Sequence, residues 1–499
     1  MKNMSQKNNV RVRFAPSPTG LVHLGGLRTA LYNYLYARQH KGAFILRIED
    51  TDQGRLVPGA MQNIIQTLTW AGLDFDEGPE FKGDEIVDKG AFGPYEQSKR
   101  LDTYRQYAHT LIDSGNAYPC FCTSSRLDQM RKEQMLKKEA PRYDGTCRDL
   151  PAGEVARKRG DGVPEVVRMK VPHAGITSFV DEVHGAVEFK NDLLDDQVLM
   201  KSDGFPTYHL AVVVDDHLMG ITHVIRGEDW LPSTPKHLLL YQFFGWDAPC
   251  FAHIPLLLAA GGGKLSKRDM SSSVFEYQQQ GYLKDAVLNF VALLGWHPKG
   301  DNEILSMDEL IKKFDLHDVN TSGAIFMTDK LDYLNGLYIR RMKPKEFAAG
   351  ARPYLEKAGL ITPDFTDAAL EKVVVLEQSR IKKLTELPEA LGFMFSAPKP
   401  KKAIIPWKKQ SGSDAAKKLT ALSLVLGGIG ETLWRVTELE NAVKGAIAEA
   451  KEPVGETLWP MRVSLSGREA SPGPFELATA LGKIETLHRI KTAISILES

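Results

Sequence analysis

Cysteine is scarce in this chain, four residues in 499, and three of the four crowd into positions 120–147. That scarcity excludes a disulfide-built extracellular scaffold. It points to a reducing compartment, with the clustered three as a candidate metal site. Neither sign of charge is in excess, since Lys plus Arg and Asp plus Glu both number 63. Bulk charge therefore announces no polyanion-coating protein, although a basic face can coexist with zero net charge if acids gather elsewhere. No apolar run approaches the roughly twenty residues that cross a bilayer. The opening MKNMSQKNNV has no apolar core and is too short for a transit peptide, so a cytoplasmic protein with no membrane partner is expected. Internal repeats and low-complexity segments are also missing. What is present is ordinary globular composition, 43% hydrophobic and 25% charged. The chain is too long for one core, so three or more domains are expected.

The chain is organised around Val10 to Arg28, VRVRFAPSPTGLVHLGGLR. Val10, Val12 and Phe14 alternate with the two-residue period of a strand. Pro16, Pro18 and Gly20 then break regular structure, and Leu27, Ala30, Leu31, Tyr34 and Leu35 fall on one helical face. Strand, tight loop and helix put His23, Gly25 and Gly26 where the helix begins. Free N–H groups and the positive dipole end there suit a phosphate. Glycine lets a ring or phosphate press on the backbone, and His23 can donate to a phosphate oxygen that gains charge in a transition state. A lone His-x-Gly is more often an ordinary βα turn; here it does not stand alone.

Ala43 to Ile48 reads as a second strand ending in Glu49-Asp50-Thr51-Asp52. That acidic cluster can grip an amino group, cap the helix expected around Ala60 to Ala71, or both. Gly78 to Lys99, rich in Gly, Pro and charge, reads as a loop, and Leu101 to Ser114 as a helix. Cys120-Phe121-Cys122 and, 24 residues on, Cys147 offer three soft ligands, with Asp149, Tyr143 or water as the fourth. The alternative is three reduced cysteines packing as small hydrophobes. Glu165 to Lys170 and Ile176 to Val187 read as strands of an inserted domain. Leu210 to Val214 is continuously apolar, as a strand buried on both faces should be. With Thr222 to Ile225, which runs into Arg226-Gly227-Glu228-Asp229, it makes the second half of one sheet.

Gly261-Gly262-Gly263 hinge a basic run, Lys264-Leu265-Ser266-Lys267-Arg268, that can clamp polyphosphate. Beyond about Asp308 strand signals fade. Amphipathic helical segments take over at Asp329 to Met342, Lys345 to Ala358, Glu371 to Leu391 and Ala415 to Leu426. Ala397 to Lys409 mixes Pro and Lys as a connection, whose lysines serve RNA phosphate or merely keep a linker soluble.

Together the two halves resemble a class I aminoacyl-tRNA synthetase, and within that class a glutamyl-tRNA synthetase of the bacterial type. PSPTGLVHLGG is similar to that family's HIGH region, with Gly26 where many class I enzymes have histidine, and KLSKR is similar to its KMSKS loop. RIEDTD, GFPTYHLAVVVDDHLMGITHVIRGEDW, STPKH and PMRVSLSGREASPGPFE resemble further blocks in order, so the likeness runs from about Val10 to Leu497. It implies a multidomain α/β fold. A Rossmann-like doubly wound parallel sheet (residues 1–100 and 196–260) would carry an inserted α+β acceptor-binding domain (101–195). A KMSKS-loop and stem-contact domain (261–325) and two all-α anticodon-binding domains (326–396 and 397–499) would follow.

The resemblance also implies residue roles. ATP would be held by Pro16, Ser17, Pro18, Thr19, Gly20, His23, Gly25, Gly26, Glu228, Lys264, Ser266 and Lys267. Of these His23, Lys264 and Lys267 would be catalytic, the lysines on the departing pyrophosphate. Glutamate would bind Arg13, Ala15, Ser17, Glu49, Tyr208 and Arg226. The two arginines suit its carboxylates as planar bidentate donors, and Glu49 its α-amino group. Arg380, in QSRIKKL, would contact tRNA and reject glutamine tRNA. The cysteine cluster is similar to a zinc motif that ends in histidine in some members; Asp149 stands in that place here, giving Cys120, Cys122, Cys147 and Asp149 as the zinc set. The implied reaction joins L-glutamate to tRNA(Glu) through an adenylate, using ATP and Mg²⁺, in a monomer. Two alternatives are an enzyme that also charges glutamine tRNA, and a catalytically silent tRNA-binding protein, against which intact His23, Lys264 and Lys267 argue.

Overall fold

The computed structural model describes residues 9–259, 261, 263 and 273–499. The chain divides into two compact units, one formed by the residues up to Tyr277 with Val287–Thr328, the other by Gln278–Ala286 with Asp329–Ser499.

In the first unit β1 (Arg11–Phe14) and β2 (Ala43–Leu46) run parallel, Arg11 opposite Ala43 and Phe14 opposite Leu46, joined by α1 (Leu24–Gln39). α1 begins where it does because His23 caps it: the His23 backbone is extended, and its Nδ1 accepts from the Gly26 amide at 3.2 Å. Leu24, Leu27, Leu31 and Leu35 are fully buried, each contributing about 2 kcal/mol of apolar burial. α2 (Ala60–Ala71) coincides with the helix expected there.

The stretch 78–99 differs from the expected loop. β3 (Gly78–Lys82) and β4 (Glu85–Lys89) form an antiparallel hairpin closed by Gly83-Asp84, with Gly83 at a left-handed φ of 66°. Most of its residues are exposed, so the apolar alternation that betrays a strand is missing, and only the two-residue turn signature was available.

α3 (Leu101–Asp113) leads into an antiparallel sheet of β5 (Ala117–Cys120), β6 (Val166–Met169) and β9 (Val198–Met200), with α4 (Ser124–Leu136) and α5 (Ala152–Gly160) between β5 and β6. Between β6 and β9 come β7 (Ile176–Asp181) and β8 (Gly185–Lys190).

The run Leu210–Val214 is not a strand. It lies inside helix α6 (Tyr208–Leu218), whose residues Leu210 to Asp216 are all buried. A helix apolar on every side shows no amphipathic stripe and imitates a buried strand in sequence. The difference matters for geometry: eight residues span about 12 Å in a helix and about 26 Å in a strand. Helical winding therefore keeps Tyr208 and Asp216 close enough to serve one site.

β10 (His223–Gly227) and β11 (Cys250–Ile254) are parallel, His223 opposite Cys250 and Gly227 opposite Ile254, with α7 (Thr234–Phe244) as the crossover. β10 borders β1, since the Thr222 amide donates to Arg11 O and the Arg11 amide to Thr222 Oγ1, both at 2.9 Å. The order β2, β1, β10, β11 reverses its direction of growth at β1/β10, where the carboxyl ends of an open parallel sheet receive ligands. β7 and β8, expected in the insert, extend this main sheet instead, Asp181 pairing with Phe251 of β11. The buried Asp181 carboxylate fixes that junction by accepting from the His253 ring.

β12 (Leu257–Leu258) pairs with β13 (Ala324–Ile325); α8 (Val274–Gln279), α9 (Lys284–Ala292) and α10 (Met307–Lys313) fall between them in sequence. The rest is helical: α11 (Thr328–Arg341), α12 (Pro344–Lys357), α13 (Asp367–Val374), α14 (Leu387–Phe395), α15 (Gly412–Gly427), α16 (Val436–Glu449), α17 (Gly455–Ser466) and α18 (Pro474–Glu498). Glu371 to Leu391 is therefore not one helix. α13 stops at Val374, turns occupy the next residues, and α14 restarts with Pro388 in its first turn, the position proline tolerates. One core gathers Phe347, Leu355, Leu370 and Leu391, another Leu419, Leu439, Met461 and Ile490. Among the described residues no helix is long and apolar enough to cross a membrane.

Candidate active site

The loop after β1 is laced to the chain after β2. Arg47 N donates to Phe14 O, Glu49 N to Pro16 O and Val57 N to Pro18 O, each at 3.0 Å. Ala15, Pro16, Ser17, Pro18, Thr19 and Gly20 are thereby fixed beyond the end of β1, and His23 is exposed at the start of α1. A Cβ at Gly25 would stand 3.0 Å from the His23 ring, a tight contact that would push the capping ring by a few tenths of an ångström. Leu257 approaches the same point at 3.8 Å, and the Val274 amide donates to Val22 O at 3.1 Å. Described residues on both sides of the KLSKR run thus border His23. Lys264, Ser266 and Lys267 themselves lie outside the described residues. Glu228 is turned toward the backbone, its Oε1 accepting from the Leu256 amide at 2.8 Å.

Asp216 is the hub of a first buried cluster. Its Oδ1 accepts from Arg13 Nε at 3.1 Å and from Arg47 Nη1 at 2.7 Å, while Arg47 Nη2 donates to Glu49 Oε1 at 2.9 Å. Burial pushes the Asp216 carboxyl up, but Arg13 and Arg47 outweigh it and hold it below the ordinary range. Burial pushes Glu49 up against the same two arginines, and there burial wins. Among the described residues neither Arg13 Nη group nor Glu49 Oε2 makes a hydrogen bond, so a cationic fork and a carboxylate oxygen are both open to a ligand.

A second cluster surrounds Arg226, which is 5% exposed. Its Nε donates to His253 Nε2 at 3.1 Å, Nη1 to Tyr208 Oη at 2.9 Å, and Nη2 to Thr234 Oγ1 at 2.9 Å; His237 Nδ1 lies 3.3 Å from Nη1. Tyr208 lies under Trp230 at 4.0 Å between ring centroids. Burial raises its phenol, and the charges of Arg226, Glu49 and Arg13 all reach it, so the tyrosine stands between the two clusters. Asp216, Arg47, His237, His253 and Thr234 were not foreseen as site residues. Arg47, Asp216, Thr234 and His237 lie within RIEDTD, GFPTYHLAVVVDDHLMGITHVIRGEDW and STPKH, blocks that carried the resemblance without a role for these residues, and His253 lies in none of them.

Cys120, Cys122 and Cys147 bring their sulfurs within 4.8 Å of one another. Tyr143 Oη lies 3.4 Å from Cys120 Sγ and 3.3 Å from Cys122 Sγ. Tetrahedral zinc with bonds of about 2.3 Å sets sulfurs about 3.8 Å apart, which this spacing fits. Asp149, expected as the fourth ligand, stands apart. Its side chain is 78% exposed and its Oδ1 pairs with Lys170 at 2.8 Å, because the turn after Cys147 carries it away from the buried sulfurs. In the helical unit Arg380 is on a turn rather than a helix, held by Glu377 at 2.9 Å. Its charge reaches Arg462, whose guanidinium lies 4.6 Å over the Trp459 ring.

Residues 9–333 match the family described as tRNA synthetases class I (E and Q), catalytic domain, and residues 346–494 match the anticodon binding domain. The chain belongs to the class I tRNA synthetases. Its full-length relatives narrow the class. A glutamate–tRNA ligase of Clostridium botulinum (strain Okra / Type B1) is 44% identical over 495 residues, 99% of each chain. One of Dehalococcoides mccartyi is 44% identical over 497 residues, 98% of each. The crystal structure of a glutamate tRNA ligase from Elizabethkingia meningosepticum in complex with its amino acid superposes with a TM-score of 0.89 at 36% identity, covering 98% of this chain and 100% of that one.

Proposed function

We propose that this chain is a glutamate–tRNA ligase, activating L-glutamate with ATP and transferring it to the 3′-terminal adenosine of tRNA(Glu). The supporting observation is the convergence on one crevice of an open guanidinium fork at Arg13, an open carboxylate oxygen at Glu49 and the Arg226–Tyr208 pair. That set complements an amino acid bearing two carboxylates and one ammonium. The α-carboxylate attacks the α-phosphate of ATP, pyrophosphate leaves, and a hydroxyl of the terminal ribose then displaces AMP from the glutamyl carbonyl. Alignment and charge do most of the work. His23 at the α1 N-terminus suits the triphosphate, and Lys264 and Lys267 the leaving pyrophosphate. Asp216 Oδ1 and Glu49 Oε1 already accept from arginines, and Mg²⁺ would come with ATP, where it would neutralise phosphate charge. Arg380 beside the Arg462–Trp459 stack offers unpaired anticodon bases a cation and a ring face.

The test is exchange of pyrophosphate into ATP with glutamate, with and without tRNA, followed by charging of both glutamate and glutamine tRNAs. Exchange that needs cognate tRNA and charging of tRNA(Glu) alone are expected. No exchange with either tRNA would leave only a binding role, and equal charging rates would make the enzyme non-discriminating. Lys267→Ala should lower kcat far more than it raises the glutamate KM.

For the cysteine cluster we infer a structural zinc held by Cys120, Cys122 and Cys147, with Tyr143 as the nearest oxygen. Elemental analysis of the purified chain should find about one zinc, since closed sites hold metal tightly. Cys122→Ser should lose it, and a metal-free native chain would restore the packed-thiol reading.

A further inference from the structure

Arg226 is a buried cation with no carboxylate beside it: among the described residues no Asp or Glu oxygen lies within ion-pairing distance, 4.0 Å, of its guanidinium. Its neighbours are imidazoles. An imidazole nitrogen accepts from a guanidinium only when it carries no proton, so the distances dictate tautomers. His253 accepts at Nε2 from Arg226 at 3.1 Å and must carry its proton on Nδ1, which sits 2.6 Å from Asp181 Oδ2. Asp181 is fully engaged, its Oδ1 taking the amides of Val183 and His184 at 3.0 Å. His237 faces Arg226 with Nδ1 at 3.3 Å and must donate from Nε2 to His209 Nδ1, at 3.1 Å. Burial, chiefly, holds His253 and His237 below the ordinary imidazole value, in keeping with neutral rings. A guanidinium has five N–H groups. Four have partners in His253, Tyr208, His237 and Thr234, and the fifth, on Nη2, has none among the described residues.

We propose that His253 and His237 are positioning residues that orient Arg226 without neutralising it, so that its full charge and one fixed N–H are kept for the substrate carboxylate and select glutamate over its amide. A carboxylate in either place would orient the arginine equally well but would cancel the charge that distinguishes the two substrates. The cost of an uncompensated buried cation is partly offset by the Phe251 ring, 5.6 Å from Arg226 Cζ. The ligand itself supplies the missing negative charge. This rests on the glutamate-activating reading, and the experiment separates the two.

TRNA-dependent pyrophosphate exchange is measured on the full chain and on three variants of one position. His237→Leu, which removes the acceptor, should raise the glutamate KM at least tenfold while kcat and the ATP KM stay within twofold. His237→Gln returns an acceptor oxygen and should bring the glutamate KM back to within threefold of the parent. His237→Glu should raise it about a hundredfold and shrink the preference for glutamate over glutamine. A glutamate KM unmoved by Leu and Glu, or a Gln variant no better than Leu, overturns the proposal. No exchange by the parent chain would instead sink the activity reading. Independently of any variant's folding, nitrogen NMR of histidine-labelled parent chain at pH 6 should find both rings neutral, His253 protonated on Nδ1 and His237 on Nε2; a protonated ring or the opposite tautomer overturns it.

Discussion

Two arginine clusters meet around Tyr208 and solve the problem of a buried cation in opposite ways. Arg13 and Arg47 share Asp216, and Arg47 also holds Glu49. Among the described residues Arg226 has only neutral partners. The first arrangement is balanced before any ligand arrives and can serve as scaffold. The second is electrostatically incomplete, which makes it a receptor for negative charge. Inside a low-dielectric site an unpaired charge is expensive, so the difference marks where stability has been traded for recognition.

Asp216→Asn should produce the largest effect, because it leaves two buried arginines short of a counter-charge. A loss of about 3–5 kcal/mol is expected for breaking a buried pair, read from urea denaturation. A loss under about 1 kcal/mol would mean that the first cluster is no better balanced than the second. Arg226→Met should do the reverse, with stability within about 1 kcal/mol of the parent. Its kcat/KM for glutamate should fall about a hundredfold, or ~2.7 kcal/mol at 1.36 per tenfold. An unfolded Arg226→Met chain would make Arg226 scaffold as well.

The smallest effect separates the clusters by pH. Burial lowers His209 to about 3, and lowers His237 and His253 as well. The unfolded chain then takes up protons that the folded chain refuses, so stability rises with pH across that window. Their contribution is complete above about 6.5, the free imidazole value, and is lost as pH falls toward the folded values. Asp216, also lowered, keeps its contribution down to about 3.9, the free aspartate value. Denaturation midpoints should therefore decline between pH 6.5 and 4.5, and less steeply in His209→Gln. A flat profile there would remove the distinction.

The legible parts of the chain were those with a local signature. α2 has a clean amphipathic period, β1 alternates, and the proline–glycine loop could be nothing regular, so these were readable one segment at a time. The failures share a cause. α6 is buried all round and β3–β4 is mostly exposed, so neither shows the one-sided pattern on which periodicity depends. Asp149 follows Cys147 at a ligand-like spacing, yet spacing says nothing about which way a turn faces. Tyr143 was one of the alternatives the spacing left open, and only coordinates bring its hydroxyl against two thiols.

The sequence alone determined the opening strand, loop and helix and, through ordered motifs from Val10 onward, the family. Each of these is written in local residue identity. Tertiary structure decided which arginine is compensated and which is not, because Asp216, Asp181, His237 and His253 reach their partners only when α6, β7, α7 and β11 are folded beside β1 and β10. Charge balance in a buried site is a property of neighbours in space, and the two imidazoles that face Arg226 stand eleven and 27 residues from it in sequence.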